Sequence, residues 1–296
     1  MVVDTVFLEK GLKAAFDLAY EQFITDPYAK LADLLSTEVP STSASEKYGF
    51  LGDLPAVQEW LGDKVAGTLA DYSYTIVNKD WYAAIDIDRN ELDDDQLGRI
   101  LPRVQMLAQR LKAYRGALVA QLIANSLVGL AYDGAAYFAN RAAPNDNLLV
   151  GTGVTLATLL VDIAAARAAM FEFQTDQGVP MGCEMDTIVC PPAIEGVMLQ
   201  ACRSAVASPV VTGITYNPPQ QWIKNVIVLP GLADTNDWYG FSSGYAIKPF
   251  IYQNRKSPEL VLDDTQVKKN RKLIYSAEAR GNAGYGLFQM GIRTVN

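Results

Sequence analysis

Between Trp81 and Asp88 the chain alternates, so that Ile85 and Ile87 take turns with Asp86 and Asp88. A period of two with one polar face is typical of a β-strand that is buried on one side only. We therefore predict a strand here that packs one face against another element.

The period changes after residue 95, because apolar residues then recur at spacings of three, four or seven. This spacing predicts a helix with one apolar stripe. Pro102 fits the first turn of a helix, so we predict one helix from about Pro102 to Asn125, roughly 35 Å long at 1.5 Å per residue. Acidic residues 93–95 precede it, where a helix N-terminus favours negative charge. The apolar positions are Leu97, Leu101, Val104, Ala108, Leu111, Leu118 and Leu122.

The first 80 residues contain a helix pattern, a loose stretch and an isolated strand pattern. Phe7 and Phe16 belong to a helical repeat over residues 1–25, which predicts a helix packed on its own domain or an arm packed on a neighbouring subunit. Residues 37–45 have the composition of a linker. Residues 46–80 end in a strand pattern over 71–78 and have too few apolar residues for a core, so they must pack on this chain or another.

Beyond residue 150 helix patterns come first and strand patterns follow. Helices are predicted over 155–173 and 192–204, and strands over 187–189 and 226–229. Three further strand patterns cover 246–253, 272–280 and 286–294. The succession predicts an α+β protein.

Composition narrows the function. The 296 residues are 50% hydrophobic, which is enough for two domains or one elaborated domain. The net charge of −8 argues against a high-affinity nucleic-acid partner, since phosphate binding needs clustered Lys and Arg. The chain has no histidine, which removes the commonest general base, the usual catalytic triads and most transition-metal sites. We therefore expect no enzyme and no cofactor.

Three cysteines, Cys183, Cys190 and Cys202, are expected to be reduced core residues of a protein made in the cytoplasm. The first residues lack the basic region of a secretory signal. The least charged stretch, residues 116–132, is too short and too polar to span a bilayer. We therefore expect no membrane association.

Four motifs of chemical interest are incomplete. Ser242 lies in a Gly-x-Ser-x-Gly pattern but has no histidine to act as base, so a turn before a strand is expected instead. Residues 86–97 begin like a calcium loop but have Glu91 and Leu97 at the positions of the required Gly and Glu. Residues 151–153 lack the third glycine of a dinucleotide site. Glycine-rich residues 281–286 precede no helix and predict a turn or kink between strands.

Several segments resemble the major head subunit of Mu-like bacteriophages, in the same order over roughly residues 40–295. After residues 137 and 138 that family commonly has a histidine-containing turn, which residues 139–144 replace, so no role is transferred to this loop. The resembling segments are residues 45–55, 59–62, 76–81, 88–95, 132–134, 137–138 and 282–289.

The resemblance implies an α+β fold of the Hong Kong 97 type, in which an arm and an extended E-loop precede a peripheral domain with a long spine helix. An axial domain follows, and the chain then returns to the peripheral domain. The implied segments are 1–44 (N-terminal arm), 45–80 (E-loop), 81–148 (peripheral strand and spine helix), 149–244 (axial domain) and 245–296 (returning strands).

The implied function is that of a major capsid protein, which assembles with itself into hexamers and pentamers of an icosahedral head around double-stranded DNA. Scaffold, portal and decoration proteins are further expected partners, with only weak, non-specific contact to DNA. We expect no metal and no covalent cross-link. The residues expected to contact neighbouring subunits are Phe7, Phe16, Tyr48, Phe50, Leu51, Trp60, Tyr72 and Tyr74.

Two alternatives stay open at this point. A tail or tube protein would also assemble and would be separated by its morphology. A cytoplasmic enzyme that uses only carboxylates and a divalent metal would draw on Asp86, Asp88 and Asp93.

Overall fold

A computed structural model of the chain describes residues 5–22, 26–49, 74–88, 98, 100–176, 178–204, 217–263 and 272–296. The α-helices are α1 (Thr5–Gln22), α2 (Pro27–Leu35), α3 (Ile100–Ala124), α4 (Leu156–Glu172), α5 (Glu195–Arg203) and α6 (Pro219–Trp222). Single 3-10 turns cover Pro192–Ile194 and Phe288–Met290. The strands are β1 (Ser36–Pro40), β2 (Ser45–Tyr48), β3 (Tyr74–Val77), β4 (Lys79–Asp88), β5 (Leu148–Val150), β6 (Thr187–Cys190), β7 (Asn225–Val228), β8 (Trp238–Phe241), β9 (Phe250–Asp263), β10 (Lys272–Tyr285) and β11 (Gly291–Val295).

The first sheet has the strand order β1-β9-β10-β4 and is covered by helices on one face. Alternate residues of β10, among them Leu273, Tyr275 and Ala277, are buried, while those between them are partly exposed. The buried set packs with Val104 and Leu111 of α3 in one apolar cluster. The predicted period-two strand and the predicted long helix are thus confirmed as β4 and α3, and α3 packs on the sheet that contains β4.

The second sheet has the order β5-β11-β8-β6-β7 and is buried more completely. Every residue of β6 and β8 is buried, as expected for strands covered on both faces. A buried ion pair crosses this sheet, since Arg293 on β11 donates through Nε to Asp237, which precedes β8, at 2.9 Å. Helix α4 begins with a capping box between Thr155 and Thr158, which satisfies its first backbone amides.

An aromatic cluster lies between the two sheets. Tyr137 is fully buried and stacks on Tyr285 of β10 (ring centroids 4.8 Å apart) and on Phe250 of β9 (5.6 Å). Phe138, the next residue, contacts Phe241 of the second sheet at 6.2 Å. The Tyr137 Oη lies 3.3 Å and 3.2 Å from the carbonyl oxygens of residues 249 and 287. One short segment therefore joins both sheets.

Arg141 holds the loop that follows this cluster. Its Nε donates to Asp133 at 2.9 Å, and one terminal nitrogen donates to Asn147 Oδ1 at 2.8 Å. The guanidinium also lies 3.8 Å from the centre of the Phe288 ring. Residues 139–144, which depart from the family pattern, thus form a loop fixed by an arginine that uses most of its five donors.

The strand predictions for the C-terminal part need correction. The run predicted as a strand over 246–253 begins only at Phe250, but it continues to Asp263 because it pairs with β10 over that length. The stretch 281–286 is no turn, since residues 281–285 end β10. Ser242 follows a strand, β8, instead of preceding one. The linker-like residues 37–45 contain most of β1, which pairs in parallel with β9.

Helices α2 and α3 are in close contact at Gly116. A Cβ atom at this position would lie 1.7 Å from the backbone carbonyl oxygen of Tyr28. Ordinary side chains cannot fit against a backbone at that distance, so the crossing requires glycine.

We predict that Gly116→Ala destabilises the chain by about 1–3 kcal/mol, because the overpacking outweighs the gain in helix propensity. Gly196→Ala in α5 is the matched control, since nothing lies within 4 Å of a Cβ atom there. The control should be neutral or slightly stabilising. Urea unfolding of both variants measures the difference, and equal midpoints would contradict the close crossing.

Candidate assembly surface

Strands β2 and β3 form an antiparallel two-stranded ribbon apart from the two sheets. Its register pairs Ser45 with Val77 and Tyr48 with Tyr74. The segment 49–73 therefore leaves and rejoins the ribbon at one end. Two-stranded ribbons are marginally stable by themselves. The orientation of this one relative to the first sheet therefore depends on the contacts that β2, β3 and the adjoining residues 41–43 and 78 make with the rest of the chain, which we call the ribbon base.

Glu46 organises the turn before the ribbon. Its Oε1 accepts hydrogen bonds from Ser41 Oγ at 2.9 Å, from the Thr42 amide at 3.0 Å and from the Ser43 amide at 3.1 Å. These donors favour the ionised form and lower the pKa of Glu46 to about 2, the Ser41 hydroxyl first among them. The carboxylate thus accepts the hydrogen bonds of two backbone amides in this turn, as a backbone carbonyl would in a regular element.

Asn78 connects the ribbon to the first sheet. Its Nδ2 donates to Ser41 Oγ at 2.8 Å and to the Ser43 carbonyl at 2.9 Å, and its Oδ1 accepts from Gln253 Nε2 at 3.0 Å. Asn78 and Gln253 are both buried. Removing either partner would leave a buried polar group unsatisfied, which costs more than the bond contributes.

The ribbon rests on the last residues of β10. Ile76 is buried, and a Cβ atom at Gly284 would lie 2.5 Å from its Cδ1. The Tyr74 Oη accepts from the Tyr285 amide at 2.9 Å, and Asn282 Nδ2 donates to the Val77 carbonyl at the same distance. The glycine-rich segment is therefore the platform on which the base of the ribbon packs.

The face of the first sheet that the helices leave uncovered is polar. Charged side chains from three strands pair across it, as Arg280 does with Asp80 at 3.1 Å and Lys256 with Glu278 at 3.9 Å. Tyr82 is 79% exposed among them and lines a shallow concavity. Exposed pairs of this kind add little stability, so this face suits a contact surface better than a core.

The structure locates four of the eight residues expected to contact neighbours. Phe16 and Tyr48 are buried by their own chain, Phe16 in the cluster with α3, and Tyr74 is partly buried at the ribbon base. Burial raises the pKa of Tyr48 to about 12. Phe7 lies in α1, and the structure describes only its backbone. The others, Phe50, Leu51, Trp60 and Tyr72, lie outside the described residues.

Helix α1 favours one of the two interpretations of the N-terminal segment. Its buried residues Leu12, Phe16 and Ala19 pack in the same cluster as α3 and β10. In the single subunit this helix therefore covers its own domain. The contact of the N-terminal segment with a neighbour stays a prediction.

The residues considered for metal or catalytic chemistry lie on β4 or outside the described residues. Asp86 lies exposed on β4, Asp88 ends that strand, and Asp93 is outside the described residues. Within the described ranges, His, Cys, Asp and Glu form no group of three that could hold a metal ion. The described helices also include none long and apolar enough to cross a membrane.

The cysteines are core residues, as predicted. All three are buried, and burial raises the pKa of each thiol to about 12. The Gly-Thr-Gly segment before α4 is likewise structural, because Thr152 donates through its amide and hydroxyl to Asp162 on that helix, at 2.9 Å each.

The sequence did not predict which residues hold the ribbon in place. These are Glu46, Asn78, Gln253 and Asn282. Their partners lie up to 205 positions away, so no local spacing marks them. The glycines at 281, 284 and 286 were predicted to mark a turn or kink between strands, whereas the structure has them where other atoms approach the backbone closely.

The overall fold is that of capsid subunits. The chain aligns with the procapsid of bacteriophage JBD30 at a TM-score of 0.56 and 22% identity, covering 98% of this chain and 75% of that one. It aligns with a virus-like particle from Pyrococcus furiosus at a TM-score of 0.59 and 9% identity, covering 97% and 98%. At these identities the likeness concerns the fold alone.

The sequence defines the family more narrowly. Residues 7–155 and 213–295 match the family of the Mu-like prophage major head subunit gpT, and the chain belongs to this family of structural proteins. The Mu-like prophage FluMu major head subunit of Haemophilus influenzae is 25% identical over 260 residues. That alignment covers 86% of this chain but 63% of the relative, so the chain spans under two thirds of the relative's length.

We predict that the Glu46 carboxyl titrates near pH 2, well below its ordinary value of 4.5. Because the folded-state pKa is lowered, the bonds of Glu46 stabilise the turn above pH 4.5, and their contribution is lost as pH falls towards 2. Carboxyl-carbon NMR of the labelled chain measures the midpoint. A midpoint near 4.5 would contradict the three hydrogen bonds. Glu46→Gln should meanwhile speed amide exchange at Thr42 and Ser43.

Proposed function

We propose that this chain acts as a major capsid protein, which assembles with itself into hexamers and pentamers of an icosahedral phage head. The observation that carries the proposal is the family match over most of the chain, together with the capsid-type fold. The virion would be its location, and packaged double-stranded DNA would be enclosed without tight binding.

The parts of a Hong Kong 97-type subunit can be proposed for particular elements. Helix α3 would be the spine, and the β2–β3 ribbon would be the base of an E-loop over 45–80. Residues 1–44 would be the N-terminal arm, 81–148 and 245–296 the peripheral domain, and 149–244 the axial domain. The strand pairing crosses these segments, since β1 joins the first sheet and β11 joins the second.

The composition of the ribbon's outer segment supports a contact with a neighbour. Residues 50–73 include Phe50, Leu51, Trp60 and Tyr72 but only one cation and four carboxylates. Trp and Tyr are enriched among the few residues that carry most of the binding energy at protein interfaces. We propose that residues 50–73 contact a neighbouring subunit and that the same contact recurs around a ring of copies.

The charge of the chain fits a container for DNA. A net charge of −8 disfavours tight adhesion of the subunit to a polyanion, so packaged DNA could be released again. Scaffold, portal and decoration proteins would be further partners of the assembled head.

We predict that replacing residues 49–73 by Asn-Gly leaves a folded subunit that cannot form shells. A two-residue turn suits the Tyr48–Tyr74 pairing, so the ribbon base is kept while the outer segment is lost. Circular dichroism and urea unfolding check the fold, and negative-stain electron microscopy checks assembly against the unsubstituted chain.

Normal shells from the shortened chain would show that residues 49–73 are not needed for assembly and would contradict the proposed contact. Trp60→Ala and Tyr72→Ala, which keep the length of the segment, should weaken assembly in the same direction. Tubes or stacked rings from the unsubstituted chain would instead indicate a tail protein.

A further inference from the structure

The solvent-facing side of helix α4 is almost uncharged. Seven residues of this helix are exposed, and they share one side of it because they follow each other at spacings of one, three or four. Among these seven only Glu172, in the last turn, carries a charge. The other six form what we call the α4 stripe, which consists of Ala157, Val161, Ala164, Ala165, Ala168 and Phe171.

Helix α1 shows how the α4 stripe differs from an ordinary helix surface in the same chain. The exposed side of α1 is rich in charge, as surface helices usually are, and includes Lys10, Lys13, Asp17 and Glu21. In α4, by contrast, Val161 is 62% exposed and Phe171 is 40% exposed. An apolar helix face of this kind is stabilised by packing on another element, which the described part of the subunit does not provide.

The two remaining charged residues of α4 are held away from the stripe by their own subunit. Asp162 is buried and accepts the two hydrogen bonds of Thr152 described above. Arg167 donates to the Met185 carbonyl at 2.8 Å and to the Glu184 carboxylate at 3.2 Å. An apolar surface could therefore cover the stripe without removing either of these charges from water.

The size of the α4 stripe narrows the choice of partner. From Ala157 to Phe171 the helix rises about 21 Å, and a helix about 10 Å wide then offers on the order of 200 Å² of contact surface. A stable pair of proteins buries about 800 Å² on each partner. The stripe alone is thus too small to hold a dimer together. It suits a ring of copies, in which further contacts hold the same two subunits.

We infer that the α4 stripe packs head to tail against a second copy of this chain in a ring of subunits. This inference rests on the proposed function, which makes other copies the most abundant neighbours of each subunit. Residues 156–212 lie outside the family match, so the family does not assign this contact. The small side chains of Ala164 and Ala168 let a neighbouring element approach closely, because the side chains at a contact set its distance.

A charge placed in the stripe tests the contact. Ala164→Glu should leave the subunit folded, because the position is exposed and Glu is a good helix former. It should raise the protein concentration needed for assembly about tenfold or more, since the carboxylate must leave water. Ala164→Ser adds no charge and is the matched control. Light scattering measures assembly and urea unfolding checks the fold. Assembly of Ala164→Glu at the concentration of the unsubstituted chain would overturn the inference.

An introduced thiol reports whether the stripe is covered, because the native thiols are buried and their raised pKa makes them unreactive. Val161→Cys should react with N-ethylmaleimide in the unassembled chain, be protected in shells of the purified chain alone, and react again after dissociation. Unchanged reactivity in shells would overturn the inference. Protection only in shells made with another phage protein would assign the stripe to that protein. Efficient disulfide-linked dimers would show two stripes meeting and exclude the head-to-tail contact.

Sedimentation equilibrium of the full chain at high protein concentration separates this inference from the proposed function. If the unsubstituted chain forms no shells under any condition, that result counts against the proposed function. The α4 contact is then measured as weak self-association, which Ala164→Glu should reduce and Ala164→Ser should not. The same association constant for all three chains would overturn the inference. Shells in which Val161→Cys reacts freely would overturn the inference and leave the proposed function standing.

Discussion

The aromatic contact around Tyr137 is the constraint on which both sheets depend. Its ring stacks on Phe250 and on Tyr285 of the first sheet, which also contact each other, while Phe138 reaches Phe241 of the second. Burial raises the pKa of Tyr137 well above its ordinary value, so the phenol stays neutral and its oxygen lies near two backbone carbonyls. A cavity here would loosen the two sheets at once, because these rings belong to one buried cluster that includes residues of both sheets.

The ribbon is held by a different kind of interaction. Its base depends on oriented polar groups, Glu46, Asn78 and Gln253, and on a glycine that lets Ile76 approach β10. Polar networks of this kind fix direction more than they add stability. If the ribbon contacts a neighbouring subunit, its orientation matters more than its stability. A ribbon held in varying orientations cannot meet the same surface on every neighbour.

Local periodicity determined the elements that have one clear face. Strand β4, helix α3 and helix α4 lie where the apolar spacing predicts them, because burial on one side imposes that spacing directly. The absence of histidine and the apolar surroundings of the cysteines also pointed correctly to a structural family with buried thiols. These elements and the burial of the cysteines could be predicted because they depend on residues close in sequence or on composition alone.

Tertiary structure decided the rest. Strand β1 exists because β9 offers it a partner 214 residues away, and residues 281–285 extend as a strand because β9 pairs with them. The length of β9 and the bonds of Asn78 have the same origin. Such features depend on backbone groups and close approaches between distant segments, which leave no repeat in the local sequence and become visible only when the chain is folded.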